Sequence, residues 1–337
     1  MKIRSIALSS IAILLLSLSI QPSNAVKVPK PIKSFQDAVK RPKDVSYWAW
    51  KKSSALVLSS TEKSGELEVL VGPNTKLTNP NPKLALDAVK RLYPTFQHPQ
   101  KTTAIYYTYK DIDWAQKNFS QLFSRSSGED AKNSCQKVTE CWGASGTIDD
   151  AGNGLILSAV MNGTTDPNHT YGTLEAHEYM HVLQIRSFFE TPQQGQAMTG
   201  IKAFTPWWFA EGGATFSQNA AIYAKSFSKY SKERQIGSAF FFNNKAKRYT
   251  EKWILNFIKP TDKKVWSDPD TAFHTYDIGA LICEIFTAIK GPAINIQIYE
   301  DIADGMTYEQ SFEKNFGVSW DSAVPLIAKS ISQLVKK

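Results

Sequence analysis

The chain has 337 residues, 42% apolar and 21% charged, with a formal net charge of +8. That length and composition suit one large or two smaller folded domains and exclude a disordered or fibrous chain. The basic surplus is dispersed, with no arginine-rich tract and no aromatic-basic array, so a nucleic-acid partner is not expected.

Lys2 and Arg4 precede an apolar run over 6–20, and QPSNA follows with small residues at Ser23 and Ala25. This is the layout of a secretory signal peptide over 1–25, cleaved after Ala25. The expected product is an exported protein, secreted or held in the cell envelope, with no transmembrane segment left after cleavage. Without Lys2 and Arg4 it carries 37 basic and 31 acidic side chains, a net charge of +6. That surplus allows loose association with an acidic cell wall or membrane surface. No feature sets an oligomeric state.

Residues 26–45, rich in Pro and Lys, read as an extended lead-in, and 46–60 fits helix or strand equally. Strands are expected at 67–73, 102–109 and 154–163, where β-branched and aromatic residues cluster. Helices are expected at 82–93 and 113–123, with apolar residues at helical spacing. Cys135 and Cys141 lie in the polar stretch NSCQKVTECWG, spaced for a local disulfide in an exported protein. Cys283, in IGALICEIF, reads as a buried free thiol. Beyond 170 helix dominates, with candidates at 206–220, 222–235, 249–258, 273–289, 293–303, 307–316 and 320–335. The expected fold class is α+β: a small mixed sheet with an active-site helix, then a mainly helical C-terminal half. The expected divisions are an N-terminal segment over 26–100 packing on the catalytic domain, an α/β half over 101–205 and a helical half over 206–337.

The chemistry concentrates in EAHEYMHVLQ, residues 175–184. Four residues advance a helix by slightly more than one turn, so His177 and His181 face the same way at a separation that suits one zinc ion. Glu178 is offset around the helix, able to reach an activated water without being a ligand. This is the H-E-x-x-H pattern, in which the ion acidifies water and the glutamate takes its proton. A catalytic zinc needs a third protein ligand. Gln184 and Ser187 close the route through a downstream histidine. Glu211, in the apolar run PWWFAEGGATF, is costly to bury without a partner, and zinc is one. His274, His169 and Asp277 are the alternative third ligands. Within FHTYDIGALICEIF, Tyr276 and His274 can each hydrogen-bond a developing oxyanion.

HEYMH, WWFAEGG and HTYDIGAL together resemble the gluzincin metallopeptidases, the broad clan of thermolysin and membrane-alanyl-aminopeptidase-like enzymes. The resemblance covers roughly 100–290. Trp208 to Gly212 match the family's W-x-x-E-G context, and Tyr276, Gly279 and Ala280 match its Y-x-x-G-A stretch. By position it implies a zincin-like fold and one zinc ion held by His177, His181 and Glu211. It implies Glu178 as general base, Tyr276 as transition-state stabiliser and a peptide or protein as substrate. It also puts 154–163 where the family has an edge strand that pairs with bound peptide. Three features depart from the family. The gap from His181 to Glu211 is long, with an insert RSFFETPQQGQAMTG expected as a loop near the cleft. SAVMNG lacks the acid that holds a free substrate amine in the aminopeptidases. Thr215 stands where an acidic partner of a ligand is common. The alternative reading is a catalytically inactive binding or scaffold protein of the cell envelope on the same fold.

Overall fold

A computed structural model describes residues 28–243, 248–261 and 269–334. The expected signal peptide and its cleavage site lie outside the described residues. Residues 28–30 belong to a separate N-terminal unit and have no regular structure. Every helix and strand described lies in the second unit, which begins at Pro31.

The lead-in is helical where an extended segment was expected. Ser34 caps α1 (Phe35–Lys40), its hydroxyl accepting from Asp37 N–H, and α2 (Pro42–Ser59) starts on a proline at its first turn. The stretch that read equally as helix or strand is thus helix. The buried residues of α2, Val45, Ser46, Ala49, Ser53, Ser54 and Val57, share one side of the helix, but three of them are serines and Leu58 is exposed, so the apolar period is hidden in the sequence. β1 (Glu66–Val71), α3 (Pro82–Leu92) and β2 (Lys101–Tyr107) form a parallel crossover unit. α4 (Ile112–Leu122) and the short α5 (Asp130–Ser134) lead to a hairpin of β3 (Cys135–Lys137) and β4 (Glu140–Cys141). The Cys135–Cys141 disulfide closes this hairpin.

β5 (Ala144–Ile148) and β6 (Gly154–Ala159) complete a mixed sheet of order β1-β2-β6-β5. β6 pairs parallel with β2 and antiparallel with β5. This corrects the expectation for 154–163: β6 is an interior strand, buried at all six positions, and the edge is β5. ASGTI is small and without apolar alternation, so its strand character comes from pairing rather than propensity. Consecutive side chains of β2 mark the two sheet faces. Tyr106 donates to Glu175 on one side and Tyr107 to the Ala131 carbonyl on the other.

After the short α6 (Pro167–Thr170), α7 (Thr173–Arg186) lies against β5 and β6. Nearly all of its residues are buried, so it is a central helix, not a surface one. α8 (Gln194–Thr199) falls within the insert. α9 (Trp207–Ile222), α10 (Phe227–Gly237), α11 (Ala239–Asn243) and α12 (Glu251–Ile258) come next. α13 (Pro269–Lys290), α14 (Ile294–Ala303), α15 (Tyr308–Phe316) and α16 (Trp320–Ser332) complete the helical part. α9 packs on α7 and crosses α13, where Gly212 and Gly279 bring the two backbones together. A Cβ on Gly212 would lie 2.1 Å from the Gly279 carbonyl carbon, so neither position admits a side chain without moving a helix.

By length and composition Ala272–Lys290 would span a bilayer, yet 78% of it is buried within the protein, against α2, α9 and α14. Aromatic pairs fill the rest of this core, including Trp208 stacked on Trp320 and Phe209 on Tyr299. The N-terminal helices are part of it: Ser54 on α2 donates to the Ala224 carbonyl, and Ser330 on α16 to the Ala38 carbonyl. Cys283 is a buried free thiol in α13.

Candidate metal centre

α7 presents His177 and His181 one turn apart with ring centroids 4.8 Å apart, and α9 brings Glu211 to face them. The two Nε2 atoms are 3.2 Å apart, and Glu211 Oε2 lies 3.2 Å from His177 Nε2 and 3.3 Å from His181 Nε2. A four-coordinate ion with bonds of about 2.0–2.1 Å has ligand-to-ligand edges of about 3.3–3.4 Å. The three atoms therefore form a triangle of the size such an ion requires.

The outer ring nitrogens decide what the inner ones carry. Gln184 Nε2 donates to the Ala210 carbonyl, which turns its Oε1 toward His181 Nδ1 at 2.8 Å. That oxygen only accepts, so His181 Nδ1 holds a hydrogen and a neutral ring leaves Nε2 as a bare lone pair. His177 Nδ1 faces Gln218 Oε1 at 2.9 Å, with the same consequence. Two nitrogen lone pairs and a carboxylate oxygen then converge with no donor among them, which is unfavourable unless a cation joins them. Without a metal that cation is a proton. Burial pushes His181 down, but the Glu211 carboxylate overrides it and raises His181 to about 9. Burial would likewise raise Glu211, but His181 and His177 hold it at about 2.

No protein-family model, curated protein or solved structure matches the chain.

Among the described residues, His177, His181 and Glu211 are the group of histidine, cysteine and acidic side chains whose ligating atoms converge on one point. A cleft of ≈ 590 Å³ opens on them. Glu178 lines this cleft from α7, and its Oε2 is buried with no hydrogen-bond partner among the described groups. Burial raises its pKa; the two histidines oppose that rise and Glu211 adds to it. A carboxylate oxygen kept unpaired beside a cleft is suited to accept a proton. Tyr276 lines the cleft from α13, its ring stacked on His177 at 5.9 Å between centroids. Burial, then the charges of Glu211 and Glu178, raise the tyrosine pKa, so its hydroxyl remains a donor.

His274, read from sequence as a second oxyanion partner, is placed elsewhere. It is two residues from Tyr276 on α13, roughly 200° around the helix, and so lies on nearly the opposite side. It sits in an aromatic box of Tyr249, Trp253 and Phe257, with Nε2 3.4 Å from the Tyr249 hydroxyl. Neither it, His169 nor Asp277 joins the convergent group, so none stands as a third ligand here. Asp277 is buried and raised to about 7 by its burial, and it accepts a backbone hydrogen bond from Phe241. Thr215 is not the partner of either imidazole; Gln184 and Gln218 are. The sequence carried a signal for both. Residue 184 shares a helix face with His181, and residue 218 lies seven after Glu211, again on one face.

The insert forms a wall. Met198 to Lys202 line the cleft, and Thr147 Oγ1 on β5 donates to the Met198 carbonyl at 3.4 Å. Beside this wall runs β5, whose outer edge pairs with no other strand among the described residues. Ala159 N–H donates to Gly143 C=O and Asp149 N–H to Asn153 C=O. With the observed register, Ser145 and Thr147 turn their main-chain polar groups toward β6, as do the Gly143 carbonyl and the Asp149 N–H, while the Gly143 N–H donates to the Ser134 carbonyl. Ala144 and Gly146 turn theirs outward, and both line the cleft. Gly146 has to be glycine: a Cβ there would lie 2.0 Å from the Glu178 carbonyl oxygen, so the strand rests directly on α7.

Proposed function

We propose that the chain is an exported zinc-dependent peptidase of gluzincin type, with a zincin-like arrangement of edge strand, histidine helix and glutamate helix. The observation that carries this reading is the convergence of three electron-pair donors, His177, His181 and Glu211, beside an unpaired carboxylate oxygen on Glu178. The donor set, two imidazoles and one carboxylate, suits zinc and leaves a coordination position for substrate or water. The disulfide of the β3–β4 hairpin is in keeping with an oxidising compartment.

An extended peptide would add to the free edge of β5, bonding to the outward N–H and C=O groups of Ala144 and Gly146. That addition holds the scissile bond over the His177–His181–Glu211 triangle, between Glu178 and Tyr276. Zinc held there would supply a Lewis acid for the scissile carbonyl and lower the pKa of water. Glu178 Oε2 takes the proton of the attacking water and returns it to the leaving nitrogen, so it ends the cycle as it began. Burial raises its pKa in the metal-free chain, and the charge of a zinc ion held beside it would oppose that rise. The Tyr276 hydroxyl donates to the carbonyl oxygen as negative charge builds there, and its raised pKa keeps it protonated throughout.

The test is digestion of a mixed peptide library by the zinc-loaded chain, read by mass spectrometry. Cleavage at peptide bonds is expected, with cut positions that separate internal from terminal attack. A zinc-loaded chain that leaves every library peptide intact would overturn the assignment of peptidase activity.

A further inference from the structure

The two glutamines behind the histidines make different sets of bonds. Gln184 is completely buried and works at both ends of its amide. Oε1 accepts from His181 Nδ1, while Nε2 donates to the carbonyl of Ala210, the residue before Glu211. One side chain thereby joins a ligand on α7 to the backbone that carries a ligand on α9. Gln218 is half-buried and only accepts, from His177 Nδ1, and none of the described residues takes a hydrogen bond from its amide nitrogen.

These bonds set the chemistry of the two positions. A carboxylate behind an imidazole makes the ring a more basic ligand and tightens the metal. Two neutral amides leave Glu211 as the only formal negative charge among the three ligands and these two partners. A carboxylate at 218 would keep the single bond made there and add charge. At 184 it would keep the bond to His181 but turn an acceptor toward the Ala210 carbonyl, opposing the approach of α9.

We propose that Gln184 and Gln218 are unequal positioning residues of the metal centre. Gln184 acts as a two-ended tie that only an amide can make, and Gln218 as a neutral partner that holds metal affinity below what the site could reach. This rests on the metal-binding part of the proposed function. Its distinguishing consequence is that one substitution, Gln→Glu, acts with opposite sign at the two positions.

The experiment measures the zinc Kd of the metal-free full chain by competition with a chromophoric chelator, with the visible spectrum of the cobalt-substituted protein as a second readout. Gln184→Glu and Gln184→Ala are each expected to weaken zinc about 10–100-fold and to shift the cobalt bands. Gln218→Glu is expected to tighten zinc about tenfold, and Gln218→Ala to weaken it. Shifts of the same sign for the two Gln→Glu variants, or a Gln184→Glu Kd within about twofold of wild type, would overturn the proposal. If Gln184→Glu does not fold, the half-buried Gln218→Glu decides alone, and absence of tightening overturns it. A wild-type chain that binds neither zinc nor cobalt removes the metal centre itself, whereas a binding wild type with unresponsive variants removes only these roles.

Discussion

Gly279→Ala tests whether the crossing of α9 and α13 is what sets Tyr276 against the proposed metal ligands. A Cβ at 279 would stand 2.1 Å from the Trp208 carbonyl oxygen and 2.9 Å from Gly212 Cα. Ordinary contact begins at 3.4 Å, so the two backbones must part by about 1.3 Å. No rotamer can absorb this, because both partners are main chain. The stability cost therefore belongs at the upper end of overpacking, about 3 kcal/mol, which lowers the Tm of a chain this size by roughly 5 °C or more. Glu211 adjoins Gly212, and Tyr276 lies one turn from Gly279. The shift therefore passes directly to the distance between Glu211 and Tyr276, the proposed metal ligand and oxyanion donor, and a misplacement of about 1 Å is expected to cost about 100-fold in turnover. The assay is thermal unfolding together with kcat on a peptide cleaved by the wild type. Gly237→Ala is the control, since nothing lies within 4 Å of its Cβ position. A Gly279→Ala protein with wild-type Tm and kcat would refute the reasoning.

The same geometry sets further expectations. Tyr276→Phe should lower kcat about 10²–10³-fold with zinc retained, while His274→Phe lowers Tm yet leaves kcat close to wild type; equal losses would return His274 to the reaction. The zinc affinity of the metal-free chain should rise with pH, by up to about tenfold per unit, until His181 has lost its proton near pH 9. The sign comes from His181 being raised above its ordinary value: its proton stabilises the metal-free fold fully below about 6.5, and that contribution is lost as pH rises through about 9. Isothermal titration in buffers of different ionisation enthalpy counts the released proton, and a pH-independent affinity between 6 and 8 would contradict it. Replacing Cys135 and Cys141 together by Ala releases a loop with a sequence separation of 6 and should cost about 2 kcal/mol in urea unfolding, with zinc affinity unchanged.

Much of this architecture could be read from residue order, for identifiable reasons. β2 and β6 carry dense runs of β-branched and aliphatic residues, so their strand character is local. His177 and His181 share a face by helix spacing alone, and burial cost singled out Glu211 before any partner was visible. What escaped depends on neighbours far away in the chain. β5 has small residues and no alternation, and only its pairing with β6 makes it the cleft's edge. Choosing between His274 and Tyr276 required knowing which side of α13 faces α7, and a two-residue spacing says only that they cannot both face it. The glutamine partners were visible as helix-face neighbours, but their roles depend on where the ligands and the Ala210 carbonyl fall in space. α1 was missed because Pro and Lys dominate its flanks, and the helix is held by the Ser34 cap and by packing on α16.

The measurement that bears most directly on the account is the turnover of a cleaved peptide by Glu178→Gln, with zinc content determined on the same sample. The amide keeps the shape of the side chain and removes only its capacity to take a proton. The account predicts one zinc per chain, as in the wild type, and kcat lowered at least about 10²–10⁴-fold. Zinc retained together with wild-type turnover would contradict it, because hydrolysis would then proceed without the base to which every proton transfer has been assigned.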